Sequence, residues 1–437
     1  MRRLLPLALL ACVSFASAER INHAGRILGA TPTLTAPVQF NTASSDSVLG
    51  TLQIFPRDNP WNEDVSRRPR LSNSDAMIAK IKSELLSSRQ TLRAFFEMNF
   101  CLVPNNQPLV SLDFVDYPDQ SDPSPYPIPT LQPVETWPRE TGTQTLDDWQ
   151  RDVLGWGGDR HSITLQPNNG NLFETWQMIK TPNDTWQASN GAKFNINSNA
   201  LRPYGWTSGD AAGFPMFPAL VRYDEVKRGR IEHALRLVVK HTRLGPIYPA
   251  RHHASVPATS DPNVPAMGQR LRLKSSFIVP ATWTKEEKLI LEALKKYGGM
   301  VSDNGNFFSF SVTPDNRWPD GCFDHLKTID VNNFEVIQTT GATEGPRSPN
   351  APTANAGADI TTTMNTQVSL NGVVGGGTTA PLVTWYRYSG PVAVTFTSTS
   401  TALTKATFSQ AGIYTLMLRS DDRVHTPAYD AVVVRVQ

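Results

Sequence analysis

The sequence predicts a mostly β protein with a few helices: a large antiparallel sandwich or jelly-roll-like domain, followed by a small β-sandwich. Short segments alternate between apolar and polar residues, with the period of a half-buried strand. Turn-forming residues rather than helices separate many of these segments, which favours antiparallel pairing. The composition also changes abruptly after residue 338. The expected organisation is a signal peptide at 1–18, a large domain at 19–338, a linker at 339–352 and a small domain at 353–437.

The overall composition limits the class of protein. The 437 residues are 39% hydrophobic and 18% charged, so the chain can bury a core and is not disordered as a whole. Lys and Arg number 41 and Asp and Glu number 39, which leaves a net charge of +2. A protein that tracks nucleic-acid phosphates needs a larger positive excess. We therefore expect no nucleic-acid partner.

The first eighteen residues have the form of a secretory signal peptide. Arg2 and Arg3 precede an apolar run, which ends in the small residues of Ala16-Ser17-Ala18. The run is shorter than the ~20 apolar residues that span a bilayer. We expect a protein that does not span the membrane and is extracellular or periplasmic. The alternative is a lipoprotein anchored through Cys12.

Two cysteines, Cys101 and Cys322, follow the cleavage site. An oxidising compartment would allow them to form a disulfide. The alternative is two separate buried thiols.

Two helices are predicted in the large domain. One covers 74–96, with a break near Ser87, and carries apolar residues at helical spacing. The other begins at Thr284, where Glu287 has capping-box spacing, and ends at Gly298. Both are expected to pack against the sheet.

The predicted strands of the large domain are connected by short turns. They are expected at His161–Leu165, Leu172–Met178, Ala219–Val226, Ile231–Val239 and Leu271–Lys274. The first two flank Asn168-Asn169-Gly170, a hairpin signal. A two-residue turn places His161 and Glu174 on one face of the sheet, either four residues out of register or as diagonal neighbours, depending on which residues form the turn.

The last 85 residues consist of short alternating strands rich in Thr, Val, Ser and Gly. The segments PTANAGADITTTMNTQVSLNG, VTWYRYSGP, ATFSQAGIYTLMLRSDD and AVVVRV resemble PKD-type immunoglobulin-like domains. The resemblance implies that Trp385 is the core Trp of the central strand, and that Gly412 and Tyr414 open the penultimate strand. It also implies a spacer or a weak surface or glycan binder. Asp421 and Asp422 could bind calcium, or they could belong to an ordinary turn.

The candidate catalytic residues are polar residues in apolar surroundings. His161, Glu174 and His233 share strand faces with aliphatic or aromatic residues, and burial of such groups is costly unless they are paired. Together they indicate a cleft or a closed hydrogen-bond network, and a metal-dependent enzyme using the same three residues is a further alternative. Asp210 and Glu225 are the candidates for general acid and general base.

The candidate substrate-binding residues combine a cation, an imidazole and two indoles. Arg251 and His252 could bind an acidic sugar or neutralise developing charge. Several of the ten Trp lie beside loop residues, and Trp176 and Trp206 are expected to stack on sugar rings. No metal-ligand motif is present, although calcium could bind the acidic loop over 113–122.

The large domain also resembles a group of secreted bacterial proteins that are often joined to PKD or fibronectin-like modules. The segments that carry this resemblance are FPRDNPWNEDVS, SDPSPYPIP, GDRHSITL, NSNALRPYGWTSGDAAGFPMFPALVRYDEV, IEHALRL, YPARHHAS and ALKKYGGMVSDNG. The resemblance implies secretion and a modular build, and it transfers no catalytic residue.

The predicted function is that of a secreted polysaccharide-active enzyme, a glycoside hydrolase or a polysaccharide lyase, without a required cofactor. Motifs of serine hydrolases of the G-x-S-x-G type, zincins and nucleotide-binding enzymes are missing from the sequence. The expected partner is a polysaccharide or a cell-surface glycan. The alternative function is a non-catalytic matrix protein that binds glycans or surfaces through the same aromatic residues.

Overall fold

The computed structural model describes residues 19–151, 158–254, 259–339, 341 and 350–437. The predicted signal peptide and most of the predicted linker lie outside the described residues. The mostly β class is confirmed, with a few helices packed on several sheets. No helix in the described ranges is both long and apolar enough to cross a membrane.

The helices and strands follow one another along the chain as given below. The α-helices are α1 (Ala43–Leu49), α2 (Ser74–Glu84), α3 (Leu146–Arg151), α4 (Tyr223–Arg228) and α5 (Lys285–Lys296). The strands before the linker are β1 (Arg20–Ile21), β2 (Ile27–Leu28), β3 (Val38–Gln39), β4 (Leu92–Phe96), β5 (Cys101–Leu102), β6 (Leu112–Phe114), β7 (Ser162–Gln166), β8 (Asn171–Trp176), β9 (Ile179–Lys180), β10 (Trp186–Ala188), β11 (Asn190–Asn195), β12 (Leu235–Val239), β13 (Arg270–Leu273), β14 (Gly299–Asn304), β15 (Phe308–Val312) and β16 (Phe334–Val336). Those after it are β17 (Thr353–Asn355), β18 (Ile360–Thr362), β19 (Val368–Asn371), β20 (Val373–Gly375), β21 (Leu382–Ser389), β22 (Thr395–Phe396), β23 (Leu403–Thr407), β24 (Gly412–Asp421) and β25 (Ala428–Val436).

Two main sheets form the large N-terminal part. One has the strand order β16-β13-β14-β12-β15-β4, and the other has the order β11-β8-β7-β5-β3. Pairing is mixed rather than purely antiparallel, because β12 with β14, β4 with β15 and β5 with β7 are parallel pairs. Parallel partners need long connections. Each sheet therefore joins segments that are far apart in the chain, and each carries its own apolar core.

The first predicted helix is correct only in its first half. Helix α2 ends at Glu84, a 3-10 turn covers Ser87–Arg89, and Leu92–Phe96 forms strand β4. The aromatic pair at the end of this segment suits a strand. Pairing of β4 with β15 supplies the long-range contacts that the local spacing could not indicate.

The second predicted helix is confirmed as α5. The Thr284 hydroxyl accepts the N–H of Glu287, and the Glu287 carboxylate accepts the N–H of Thr284. This is the reciprocal capping box expected from the sequence. Gly298, at φ 65°, follows the helix in the left-handed region, where glycine has no steric cost.

The strand predicted at Ala219–Val226 is wrong. Residues Tyr223–Arg228 form α4, which begins after Arg222 and ends at Gly229. The Glu225 carboxylate accepts the backbone N–H of Arg222, which stabilises the first turn of a helix. The following strand is also shorter than predicted, because β12 starts only at Leu235 and all five of its residues are buried.

The predicted hairpin is formed by β7 and β8. Their register places Glu174 opposite Ile163, so His161 and Glu174 are diagonal neighbours, as in the second of the two expected arrangements. The connection is a four-residue loop over 167–170, in which Gly170 has φ 80°. A two-residue turn therefore does not form.

Residues after the linker form two sheets around a separate core. The sheets have the orders β18-β25-β24-β21 and β19-β23-β22. Trp385 lies on β21 and is buried in this core, as expected. Tyr414, on β24, is also buried, and its hydroxyl donates to the carbonyl of Gln410. This arrangement is typical of an immunoglobulin-like sandwich.

The two acidic residues considered as calcium ligands have protein partners. Asp421 pairs with Arg419, and Asp422 accepts N–H groups of its own loop and of the loop before β21. Both therefore act as turn and ion-pair residues here.

Cys101 and Cys322 are buried free thiols, so the predicted disulfide does not form. Burial raises the pKa of each thiol to about 12.

Candidate functional site

An open cleft lies where the two main sheets of the large part meet. It has two lobes, of ≈260 and ≈240 Å³, which share Asp159, His161 and Asp303. The acidic lobe is further lined by Phe95, Glu97, Glu135, Arg236, Asn306 and Phe307. The aromatic lobe is further lined by Tyr117, Trp176, Thr207, Ser208, Ala211 and His252.

A β-bulge positions Asp303 in the cleft. Strand β14 pairs Val301 with Leu237 but Asp303 with Val238, so Ser302 is an extra residue. A bulge changes which residues of a strand share a face with its neighbour, and bulges often occur beside functional sites. Here the extra residue places Asp303 on the face of Arg236. The Ser302 carbonyl accepts the N–H of Ala212, which fixes the loop that carries Asp210.

Main-chain hydrogen bonds connect the segments that carry the other cleft residues. Glu97 follows β4, and its carbonyl accepts the N–H of Thr136. Glu135 donates its N–H to the carbonyl of His161, which precedes β7. Three segments that are distant in sequence are thus joined backbone to backbone. The side chains of Glu97, Glu135 and His161 are therefore carried by backbone segments that are hydrogen-bonded to one another.

Arg236 is the centre of the acidic lobe. Its Nε and Nη2 each donate to one oxygen of Asp210, both at 3.2 Å, and Nη2 also lies 2.6 Å from Asp303 Oδ2. Its Nη1 donates to the Ser311 hydroxyl at 3.2 Å and lies 3.9 Å from Glu97 Oε2. Burial disfavours the cation, but the surrounding carboxylates outweigh burial and raise the pKa of Arg236 further. Three carboxylates therefore surround one permanent positive charge.

His161 and Glu135 form a buried ion pair. The imidazole Nδ1 lies 2.9 Å from Glu135 Oε2, and Nε2 lies 2.8 Å from the carbonyl oxygen of Gly209. Both partners are acceptors, so both ring nitrogens carry protons. Burial opposes the charge, but Glu135 outweighs it and raises the pKa of His161 to about 9. In the same way His161 holds the pKa of Glu135 below its ordinary value.

Glu97 has a different environment from the other carboxylates. It is about as exposed as Asp303, at 26% against 24%, but it lies farther from Arg236, at 3.9 Å against 2.6 Å. Its Oε2 also accepts the Ser311 hydroxyl at 2.5 Å. Burial raises the pKa of Glu97 to about 7, against the smaller lowering effect of Arg236. A carboxyl group with such a pKa can be a proton donor near neutral pH.

Of the predicted catalytic residues, the structure places His161 and Asp210 at the cleft and Glu174 close to it. Glu174 is fully buried, and its oxygens accept the N–H groups of Met216 and Phe217 at 2.8 to 3.0 Å. Its role is to hold this backbone segment. Asp210 is buried beneath Arg236 and orients the guanidinium.

Glu225 and His233 lie in a different cluster. His233 Nε2 is 2.9 Å from Glu225 Oε1, and the same oxygen accepts Arg222 Nη2 at 2.5 Å. His233 Nδ1 faces the carbonyl of Ala234. Neither residue is among the described residues that line the cleft, and nor is Asp210, so the structure does not bring the predicted acid and base together at the cleft surface.

Of the four predicted binding residues, two line the cleft and two do not. Trp176 and His252 line the aromatic lobe, and Trp176 lies 6.1 Å from the ring of Tyr117. Arg251 instead donates to the carbonyl of Arg202, and Trp206 packs beside the Arg202 guanidinium. Burial lowers the pKa of His252. A neutral imidazole there donates through Nδ1 to the carbonyl of Ala211.

Glu97, Glu135 and Arg236 were missed by sequence reasoning. Glu97 follows a segment taken for a helix, and Glu135 lies in a loop without periodicity. Arg236 lies on the predicted strand Ile231–Val239, of which all five residues from Leu235 onward are buried. Asp303 precedes Asn304-Gly305, a turn-like sequence, and is not among the candidate catalytic residues. The useful signal is an Arg in a continuous apolar strand, because a buried guanidinium requires carboxylate partners.

The described side chains contain no group of three His, Cys, Asp or Glu that is arranged to hold a metal ion. The three residues of the metal alternative each have protein partners: Glu135 for His161, backbone N–H groups for Glu174, and Glu225 for His233. The described lining of the acidic lobe presents carboxyl groups, one guanidinium and an ion-paired imidazolium.

No protein-family model and no curated protein matches the chain. Among solved structures, it is similar to the PKD domain of human KIAA0319, with 18% identity and a TM-score of 0.18. That match covers 21% of this chain and 87% of the other.

Two further similarities involve proteins linked by name to carbohydrates. A candidate alpha-galactosidase of Bacteroides fragilis matches with 15% identity and a TM-score of 0.16, over 22% of this chain and 18% of the other. A nucleoside hydrolase-related protein of Saccharophagus degradans, associated with carbohydrate metabolism, matches with 17% identity and a TM-score of 0.19, over 32% and 36%. TM-scores this low carry no argument about the cleft.

Proposed function

We propose that this protein is a glycoside hydrolase in which Glu97 is the general acid and Asp303 the general base. One observation carries the proposal: both carboxyl groups line the same open lobe beside one guanidinium, which lies 2.6 Å from Asp303 and 3.9 Å from Glu97. Glycosidases use such a pair of carboxyl groups on either side of the scissile bond. The signal-peptide form of residues 1–18 supports action outside the cytoplasm.

Glu97 suits the role of acid. With a pKa of about 7 it keeps its proton in mildly acidic solution, and its partial exposure leaves it accessible to a substrate. As the glycosidic C–O bond breaks, the Glu97 carboxyl group gives its proton to the departing oxygen. The Ser311 hydroxyl then donates to the carboxylate that remains.

Asp303 suits the role of base. Burial raises the pKa of Asp303, and the Arg236 cation opposes that change at an N–O distance of 2.6 Å. The ionised carboxylate takes a proton from water while the water oxygen attacks the anomeric carbon. One water molecule is consumed, and each carboxyl group returns to its first state when the proton moves from Asp303 to Glu97 through solvent.

The walls of the cleft suit a sugar chain. Phe95 and Phe307 line one lobe, and Tyr117 and Trp176 line the other. Aromatic faces stack on the C–H faces of sugar rings and contribute apolar contact area. The two lobes meet at Asp159, His161 and Asp303, so a chain that occupies both would pass over the proposed acid and base.

The test is reducing-end release from a panel of polysaccharides by Glu97→Gln and Asp303→Asn. Each variant should lose at least about 100-fold in kcat. Asp113→Asn, an exposed carboxylate on β6, is the matched control and should retain wild-type turnover. Turnover by the wild type should fall as pH rises through about 7, because Glu97 then loses its proton. Wild-type rates in both cleft variants would contradict the proposal.

The aromatic lobe also favours the second candidate function, a non-catalytic glycan binder. This function predicts that the wild type binds members of the panel without releasing reducing ends. Trp176→Ala should then weaken binding while Glu97→Gln leaves it intact. Release of reducing ends by the wild type would exclude this alternative.

A further inference from the structure

The cleft has an excess of negative charge. Four carboxyl groups line it, those of Glu97, Glu135, Asp159 and Asp303, and the carboxylate of Asp210 lies directly beneath. The cations among the described lining residues are His161 and Arg236. Behind the lining, Arg89 lies over the ring of Phe307 and Lys240 donates to Asn306. Burial raises the pKa of Asp210 to about 7, so Asp210 is left out of the charge count together with Glu97. The three remaining carboxylates on the described walls still outnumber the two cations.

Both cations are already used within the protein. His161 donates to Glu135 and to a backbone carbonyl, which occupies both ring nitrogens. Arg236 donates to Asp210, Asp303 and Ser311. Among the described residues that line the cleft, an anionic sugar would find no cation without a protein partner and would meet the carboxylates instead. Like charges in a partly dry cleft repel strongly.

Asp159 is the carboxylate available to a ligand. It is exposed at the junction of the two lobes, and its side chain makes no ion pair or hydrogen bond with the described residues. Its backbone is held firmly, because the Asp159 carbonyl accepts the N–H of Gln177 at 2.9 Å. The next residue, Arg160, is buried and donates to the carbonyls of Met178 and Trp149. The carboxylate is therefore presented from a rigid support.

The neighbouring walls favour the same type of ligand. Tyr117 and Trp176 line the lobe that Asp159 shares, and their rings lie 6.1 Å apart. The face of an aromatic ring attracts cations. A carboxylate and two aromatic rings thus surround one region of the cleft, a combination that suits an ammonium group on an apolar ring.

We propose that the substrate is a glycan of amino sugars with free, positively charged amines, and that Asp159 is the residue that binds the ammonium group. This inference rests on the proposed glycoside hydrolase function and names its substrate class. It also disfavours a lyase acting on uronic acids, because such a substrate carries a negative charge on each sugar.

The test compares three probes of equal length: a glucosamine oligosaccharide, its fully N-acetylated counterpart and an oligogalacturonate. The ratio of kcat/KM for the free-amine probe to that for the N-acetylated probe is measured in the wild type, in Asp159→Asn and in Asp113→Asn. We expect a wild-type ratio well above one, a fall of about fivefold in Asp159→Asn and no fall in Asp113→Asn. Binding is measured separately in the Glu97→Gln background, and it should weaken with added salt.

The outcomes separate the two proposals. Hydrolysis without preference for free amines, or a ratio unchanged in Asp159→Asn, overturns the substrate class and leaves the hydrolase standing. Free-amine binding that depends on Asp159, without hydrolysis of any probe, overturns the hydrolase and supports the ligand class. Turnover of the oligogalacturonate, or no binding of the free-amine probe, overturns the inference.

Discussion

At the scale of single residues, partner geometry determines the charge of His161. Its two ring nitrogens face a carboxylate and a carbonyl, so the protonated form is stabilised although the ring is buried. An imidazolium that is bonded on both sides cannot accept a proton. His161 therefore holds Glu135 and the Gly209 backbone in place, and the proposed hydrolase mechanism assigns proton transfer to carboxyl groups.

The first prediction concerns this pair. Glu135→Gln keeps an acceptor for Nδ1 but removes the negative charge, so burial is no longer outweighed. The pKa of His161 should fall from about 9 to below its ordinary 6.5. A pH titration of the imidazole signals by NMR measures it.

The pH dependence of the free energy of unfolding should also change in Glu135→Gln. Because the folded-state pKa of His161 is raised, the contribution of the pair is complete below about pH 6.5 and is lost as pH rises through about 9. Asp113→Asn serves as control and should keep both the pKa and the pH profile of stability. A pKa that remains near 9 in Glu135→Gln would show that another group stabilises the cation.

At the scale of elements, helix α5 shows how much a local motif can determine. Its capping box satisfies the N–H groups of Thr284 and Glu287, and the Thr284 hydroxyl also donates to the carbonyl of Cys322. The helix therefore begins where the sequence predicts. The Thr284 side chain also connects the start of the helix to the loop that contains Cys322.

The second prediction tests this cap. Thr284→Ala should lower the free energy of unfolding by about 1 kcal/mol, because the hydroxyl contacts at the helix start are lost. Thr284→Ser retains the hydroxyl and should stay close to the wild type. Chemical denaturation measures the free energy of unfolding of both variants, which are compared with the wild type at equal m-values. Equal stability of all three proteins would mean that the cap contributes nothing.

Two segments of the large domain form elements that differ from those predicted. The segment over Leu92–Phe96 has apolar spacing compatible with a helix, yet it pairs in parallel with β15, more than 200 positions later. A strand is predicted at Ala219–Val226, yet Tyr223–Arg228 forms a helix that Glu225 caps. Contacts with a distant strand decide the first segment, whereas a contact between residues three positions apart stabilises the second.

At the scale of the whole molecule, the chain has separate apolar cores. The core around Trp385 is built from residues after the linker, whereas α2, α5 and the six-stranded sheet share another. Contacts between the two parts include Arg67 with Asp421, the Tyr388 hydroxyl with the N–H of Ile27, and the ring of Tyr429 against Gly25. A part with its own core can fold independently.

The third prediction follows from this separation. A fragment over 350–437 should fold alone and unfold cooperatively, because its core includes no residue from before the linker. Near-UV circular dichroism and thermal unfolding of the fragment measure this. Trp385→Ala is the matched disruptive variant and should abolish the transition. A fragment without a cooperative transition would show that the two parts depend on each other for folding.

The sequence by itself determined the features that depend on local patterns. These are the mostly β class, the capping box of α5, and the diagonal placement of His161 and Glu174 as one of two alternatives. Each follows from residue spacing within a few turns or strands. The physical basis is that caps, alternation and turns act over short distances. The core position of Trp385 was instead implied by the resemblance to PKD-type domains.

The tertiary structure alone decided the composition of the cleft. Glu97, Glu135, Arg236 and Asp303 come from segments that only parallel pairing and a β-bulge bring together. Their protonation depends on burial and on neighbouring charges, neither of which is encoded near the residue itself. Asp210 and Glu225 look equivalent in the sequence, but one supports the guanidinium of the cleft and the other caps a helix.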